Sequence, residues 1–286
     1  SDLPDSDLSS RFRISSSSRE TLETLQDKSR FREFLATTNM PYPPTYPIRS
    51  RTDIDAIPFD QLDRVFLKPT NSQRFSDIVG RKGIWVENRE EFEKIWHKLD
   101  GQGFDLMAQE YVPGTSADHY FIDGFRDCKG NITGLFARRR LRIYPLDFGN
   151  SSYCRSIPLN EVTSAREHLT DLLSRLDYRG IFSAEFKRDA RDGTFRILEI
   201  NTRAWTYVEF ATRCGMNVCQ MAFEDACDRP VSVASKNYPV GAGCVSLPGD
   251  IRSVLAQEAK ARSSWLTILA QWARAHFHVF RWDDPR

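Results

Sequence analysis

At 286 residues, 40% of them apolar and 12% aromatic, the chain can bury the core of one large or two small globular domains, so it is expected to be folded and soluble rather than disordered or fibrous. Forty Lys and Arg against 39 Asp and Glu give a formal charge of +1, so no overall field draws nucleic acid or an anionic membrane, and any phosphate binding must be local. No apolar run approaches the roughly 18 to 20 residues that span a bilayer, and the polar start SDLPDSDLSS is no signal peptide, so a cytoplasmic location is expected. The six cysteines show no Cys-x-x-Cys pair and no zinc spacing with the five histidines, and read as reduced, mostly packed thiols.

In chain order, residues 1–20 are polar, with a serine run at 15–18, and read as a lead-in. Asp27 caps a predicted helix with Phe31, Phe34 and Leu35 at helical spacing, and Pro41, Pro43 and Pro44 end it. Val65-Phe66-Leu67 is a predicted strand that delivers Lys68, a cation at a strand end suited to phosphate, before Pro69 stops it. After the polar segment TNSQRFSDIVGRKG come a strand, Ile84-Trp85-Val86, and a helix over 89–99 with Phe92, Ile95, Trp96 and Leu99 on its apolar stripe. Leu106 to Val112 is strand-like and broken by Pro113-Gly114, as expected of a crossing between two lobes. Strands follow over 119–125 and 132–138 about an Asp127–Gly130 turn, and the second runs into Arg138, Arg140 and Arg142, which share one face if the strand continues. Residues 144–155 show no helix or strand period and suit a substrate-facing loop. Residues 160–177 form the clearest helix; 204–227 reads as helical with a break at Gly215; 240–245 as a short strand; 256–280 as largely helical, anchored by Trp265, Ile268, Leu269 and Trp272. Trp205, Tyr207 and Phe210 read as core.

The stretch GIFSAEFKRDARDGTFRILEINTR, residues 180–203, organises the rest. Ile181–Lys187 and Phe195–Asn201 are strand-length runs about an Asp-Gly turn signal, so they predict a β-hairpin. Glu199 and Asn201 then share a face, and a loop of Arg191, Asp192 and Gly193 sets Glu185 opposite Glu199. Two carboxylates and an amide oxygen on one face suit Mg²⁺ held together with nucleotide phosphates. The competing reading is a solvated hairpin face, against which the flanking runs are strongly apolar.

The pattern AEFKRD…GTFRILEINTR resembles the metal-binding end of the ATP-grasp superfamily, in particular its carboxylate–amine and carboxylate–thiol ligases, with Thr202 where the family often has Pro. The resemblance runs from about Asp27 to Asp228. It implies an α+β fold of two α/β lobes clasping ATP, with an antiparallel sheet in the large lobe. The expected organisation is a flexible lead-in over 1–26, a helix and Pro-rich linker over 27–50, the small lobe over 51–108, the large lobe over 109–230 and a helical extension over 231–286. By resemblance Glu185, Glu199 and Asn201 are metal ligands for two Mg²⁺, with Mn²⁺ as an alternative. Lys28 and Lys68 contact phosphates; Glu110, Tyr111 and Val112 present backbone to adenine; Asp118 binds the ribose. Arg138, Arg140 and Arg203 meet the γ-phosphate or an acyl phosphate, and the segment 70–83 is a phosphate lid. The Phe148-Gly149-x-x-Ser152 segment points to the carboxylate–amine ligase-like members. The implied activity is an ATP-dependent, ADP-forming ligase that activates a small-molecule carboxylate as an acyl phosphate and joins it to an amine or thiol. The alternatives are a non-catalytic nucleotide-binding or scaffolding module and a kinase-like use of the same site. Most relatives carry a further N-terminal domain of about a hundred residues, so a separate domain or a homo-oligomer is an expected partner, with neither nucleic acid nor membrane.

Overall fold

The computed structural model describes residues 12–278 apart from 63, 70–74, 76, 79, 81–82, 100–103, 147–148, 235–236 and 258–263. Most of the expected lid, TNSQRFSDIVGRKG, lies outside the described residues.

Two helices open the described chain, α1 (Arg19–Gln26) and α2 (Lys28–Ala36). The first corrects the expected lead-in over 1–26. Ser18 caps it, and Leu22 and Leu25, three apart, are buried. Asp27 caps α2 as expected, accepting from the Ser29 and Arg30 amides.

A small sheet follows, with strand order β1 (Thr45–Ile48), β4 (Leu106–Glu110), β2 (Val65–Pro69), β3 (Ile84–Val86). Its pairs are antiparallel. Helices α3 (Arg51–Asp55) and α4 (Arg89–Leu99) help close its core through Ile54, Phe92 and Leu99, packed with Leu67, Val86 and Ala108.

The large sheet is built from β5 (His119–Arg126), β6 (Ile132–Tyr144), β7 (Asn150–Ile157), β8 (Gly180–Arg188), β9 (Phe195–Asn201), β10 (Gly243–Val245) and β11 (His276–Phe277). Its order is β11-β10-β7-β6-β5-β8-β9, antiparallel except between β10 and β11. Side chains alternate between faces. Tyr120, Ile122, Phe182, Ala184, Phe186 and Ile200 pack with Leu169, Leu172 and Leu173 of α5 (Thr163–Arg175) and with Leu25 and Phe31. The other face carries Phe121, Asp123, Arg138, Ser183, Glu185 and Glu199. Farther along, Phe125, Phe136 and Cys154 pack against α6 (Val208–Arg213) and α7 (Val218–Ala226). Gly215 breaks these helices as expected, at φ +93°.

Three local expectations fail for physical reasons. The segment read as a loop over 144–155 contains β7, whose Ser151, Ser152, Tyr153 and Cys154 are all buried. A strand covered on both faces shows no polar alternation. The helix expected over 256–280 is described only as α9 (Trp265–Arg274), followed by β11. Of its supposed anchors Ile268 is buried, Trp265 and Leu269 are exposed, and the indole of Trp272 donates to Asp250 of α8 (Leu247–Ala256). Arg142 does not join Arg138 and Arg140. The register shifts at Arg140/Arg142, and its guanidinium binds the buried carboxylate of Asp250 and the amide oxygen of Gln271.

Candidate active site

The hairpin registers Glu185 opposite Glu199 and Ser183 opposite Asn201. The route to this register differs from the expected three-residue loop. Pairing closes at Arg188 and Phe195, so 189–194 is the connection, an offset that alone would set Glu185 against Leu198. A bulge between Glu185 and Phe186 leaves Leu198 as the extra residue and returns Glu199 to its place.

The two carboxylates sit in opposite electrostatic settings. Burial pushes the Glu185 carboxyl up, but Arg140 and His119 more than reverse this and hold it at about 2. Its Oε1 accepts from Arg140 Nη2 at 3.2 Å and lies 2.9 Å from His119 Nδ1. Among the described residues Glu199 makes no such ion pair, and the charges of Lys28 and Lys68, which favour its ionised form, are outweighed. The crowding of the cleft walls and then repulsion by Glu185 raise its carboxyl above the ordinary range. Its side chain remains open to the cleft, where Asn201 Nδ2 donates to its Oε1 at 3.2 Å. Among the described residues no three His, Cys, Asp or Glu side chains could hold a metal by themselves. The set is two carboxylates and an amide on one sheet face, with mutual repulsion that a cation relieves. That donor set fits Mg²⁺ completed by phosphate oxygens.

Two adjoining cavities share Glu185, Glu199, Arg140 and Asn150. The first is also lined by Lys28, Lys68, Gln109, Glu110, Tyr111, Val112, His119 and Lys187, with Phe66, Ile143 and Leu198 as apolar wall. Lys68 Nζ donates to Gln109 Oε1 at 2.7 Å, and Gln109 in turn donates to Thr45 Oγ1 at 2.7 Å, which fixes the lysine at the cleft. Burial pulls the Lys68 ammonium down to about 7; Lys28 adds to this and Glu199 opposes it. Lys28 Nζ donates to the Pro69 carbonyl at 3.2 Å. The second cavity is lined by Arg138, Arg203, Ser151, Ser183, Asn201, Phe121, Trp205 and Tyr207. Arg138 is nearly fully buried, paired with Asp123 at 2.7 Å and stacked 3.8 Å above the Phe121 ring centre. Arg140 Nε donates to Ser151 Oγ at 3.0 Å, which sets its guanidinium between the two cavities. Trp205 and Tyr207, read from sequence as core, are buried as expected and also line this cavity.

On the side expected to meet adenine, the Glu110 and Tyr111 amides donate to the carbonyls of Pro44 and Arg64. The Glu110 carboxylate is clamped by both terminal nitrogens of Arg191, at 2.7 and 2.9 Å, tying the small sheet to the hairpin loop. Asp118 lines neither cavity; its carboxylate accepts from the amide and hydroxyl of Thr115, closing the turn that starts β5. His119 and Lys187 were missed. Both share the sheet face of Glu185, since His119 registers with Lys187 on the neighbouring strand, and that pairing of distant residues is the only signal that marks them.

No protein-family model matches the chain. It is similar to a D-aspartate ligase of Enterococcus faecium (strain Aus0004), 26% identical over 214 residues, covering 71% of this chain and 50% of that protein. The chain thus spans about half the length of that relative. Among solved structures it is similar to a carboxyaminoimidazole ribonucleotide synthase from Aspergillus clavatus complexed with ATP, with TM-score 0.63 and 14% identity over 82% of this chain and 59% of that one. A biotin carboxylase from Campylobacter jejuni matches at TM-score 0.63 and 18% identity, covering 80% and 52%. An L-amino acid ligase from Bacillus licheniformis matches at 0.53 and 16%, covering 72% and 48%. Two lobes, an antiparallel large sheet and a carboxylate hairpin facing a cleft, together with these likenesses, identify the fold of the chain as that of the ATP-grasp superfamily.

Proposed function

We propose that the chain is the nucleotide-binding and phosphoryl-transfer core of an ADP-forming ligase, which activates a small-molecule carboxylate as an acyl phosphate and transfers the acyl group to an amine. The observation that supports this most is the shared wall: Glu185, Glu199 and Arg140 stand between a cavity lined by lysines and one lined by Arg138 and Arg203. A triphosphate in the first cavity and a carboxylate in the second would meet at that wall. The carboxylate oxygen attacks the γ-phosphorus, the bond to ADP breaks, and ADP leaves with the electron pair. An amine then attacks the acyl carbon, phosphate leaves and the amine proton passes to solvent. Magnesium, two ions in this reading with Mn²⁺ as a substitute, would supply charge screening and alignment of the γ-phosphate when bound by Glu185, Glu199 and Asn201. Arg140, fixed by Ser151, would stabilise charge on the transferring group, while Arg138 and Arg203 orient the acid. The name of the enterococcal relative makes D-aspartate the first carboxylate to try. A cytoplasmic location belongs to this reading; among the described residues no helix is long and apolar enough to cross a membrane.

Mg·ATP is expected to bind and to raise the melting temperature, since a ligand selective for the folded state stabilises it by mass action. ADP and phosphate measured across a panel of carboxylates, with and without amines, test the rest. Amine-dependent phosphate release supports the ligase, a stable phosphorylated acid would make it a kinase, and binding without turnover would make it a nucleotide-binding module. Absence of any Mg·ATP binding by calorimetry removes the whole reading. Lys68→Met is expected to weaken nucleotide binding by roughly tenfold or more, as loss of a charge-assisted contact does. Its stability should fall by only about 1 kcal/mol, the scale of the Gln109 bond it gives up. A loss of stability with unaltered affinity would make Lys68 structural.

A further inference from the structure

The first cavity holds a third lysine in a different situation from the other two. Lys187 lies two residues beyond Glu185 on β8, so it projects from the same sheet face about 7 Å farther from the carboxylate pair. It is 1% exposed, and its Nζ is buried without a hydrogen-bond partner among the described residues. Lys68 donates to an amide oxygen and Lys28 to a carbonyl. Lys187 instead rests on the π face of Tyr111, with Nζ 3.5 Å from the ring centre. A π face attracts the charge but does not saturate the ammonium's N–H donors as an oxygen or nitrogen acceptor does. Buried polar groups are almost always hydrogen-bonded, and an exception that borders a cavity calls for an acceptor that the protein itself does not supply.

The position says what kind of acceptor. Phosphates belong at the carboxylate end, against Glu185, Glu199 and Lys68. Lys187 stands at the other end, against the ring of Tyr111, which Phe66 meets edge-on at 6.4 Å, and Val112, Ile143 and Leu198 are further apolar lining of the same cavity. That is the setting for a planar heterocycle with acceptor atoms on its edge. Resting on the nucleotide reading above, we propose that Lys187 is a specificity-determining residue of the nucleotide site, its ammonium donating a hydrogen bond to a ring nitrogen of the purine base. The contact is absent from any pyrimidine nucleotide whose smaller ring does not reach it, so Lys187 selects for purines.

The test is calorimetric, on the full chain with Mg²⁺. The wild type and Lys187→Met are each titrated with ATP, CTP, 1-deaza-, 3-deaza- and 7-deaza-ATP, and 2′-deoxy-ATP. Methionine is close to lysine in size and removes the ammonium, its charge together with its N–H donors. The wild type is expected to bind one of the three deaza analogues about tenfold more weakly than ATP, the scale of a hydrogen bond to a charged donor. In Lys187→Met that penalty should vanish, ATP should bind about tenfold more weakly, and the gap between ATP and CTP should narrow to match. Melting temperature without nucleotide should be unchanged or higher, because an unpartnered buried cation has been replaced by an apolar group. Deaza penalties that persist in the variant overturn the assignment, as does loss of the 2′-deoxy penalty alone, which would place the contact on the ribose. A lowered melting temperature with equal weakening of every nucleotide also overturns it, since Lys187 would then act by supporting Tyr111. Failure of the wild type to bind Mg·ATP removes the nucleotide reading and this assignment together, whereas binding with unaltered discrimination removes this assignment alone.

Discussion

Glu199→Gln is expected to fold as the parent does and to lose ligase turnover by at least about a hundredfold, the scale on which small misplacements of reacting groups are felt. The folding half follows from what the side chain touches. Ile200 anchors the strand in the core, and the exposed Glu199 carboxylate faces the cleft opposite Glu185, a place that glutamine fills with the same shape. The amide oxygen of glutamine can still accept from Asn201. Repulsion from Glu185 disappears, so the metal-free variant should be no less stable than the parent. The pH dependence has a definite sign. A carboxyl raised in the folded state penalises folding above that raised value, where it must ionise, and the penalty is gone below the ordinary glutamate range, where it is protonated in both states. Any stability advantage of Glu199→Gln should therefore appear at neutral pH and fade as the solution is acidified. On the proposed reading turnover would suffer because a neutral amide would hold a cation less well, and the γ-phosphate would lose the alignment that the cation would supply. Near-parental turnover at saturating Mg²⁺ would show that the hairpin is not the metal site.

The hairpin was legible because its information is local. Strand-length apolar runs, a turn signal and a period of two are enough to put Glu185, Glu199 and Asn201 together. Even so, the three-residue loop that the sequence suggests gives the right register only because a bulge offsets the longer connection, and nothing in the sequence marks Leu198 as the residue squeezed out. What was not legible depends on partners remote in the chain. Arg138, Arg140 and Arg142 read alike as a charge run, but their roles are set by Asp123, Glu185 and Asp250, lying 15, 45 and 108 residues away. Two of them line the cleft and the third braces the sheet. Lys187 shows the same limit: a lysine on a strand looks solvated until the tertiary structure covers it with Tyr111. The strand β7 is not legible because its serines are buried through partners that only the fold provides, among them Arg140, Asp250 and the Pro239 carbonyl.

The brace itself carries the largest expected loss of stability. Asp250 is fully buried, and its carboxylate accepts from Arg142 Nε at 2.9 Å and Nη2 at 2.7 Å, from Ser152 Oγ at 2.7 Å and from Trp272 Nε1 at 2.7 Å. Through these bonds α8 and α9 are fastened to β6 and β7, the strands that carry Arg138, Arg140 and Ser151 to the cleft. Removing one member of a buried ion pair strands the other charge without water or counterion. Asp250→Ala is therefore expected to cost about 3–5 kcal/mol, measured as a shift of the urea unfolding midpoint. Asp250→Asn keeps the shape and some of the acceptor capacity but not the charge, and should fall between. Replacing both partners with apolar residues, Arg142→Met with Asp250→Leu, should cost less than Asp250→Ala alone, because no charge is left behind and the pair's own attraction is largely cancelled by its desolvation. If Asp250→Ala unfolds within about 0.5 kcal/mol of the parent, the ordinary range of a surface substitution, then water reaches this guanidinium and the C-terminal helices do not brace the sheet. If instead the double replacement is as damaging as the single, the directed bonds from Ser152 and Trp272 matter more than the charge pair, and Asp250→Asn should then retain most of the stability.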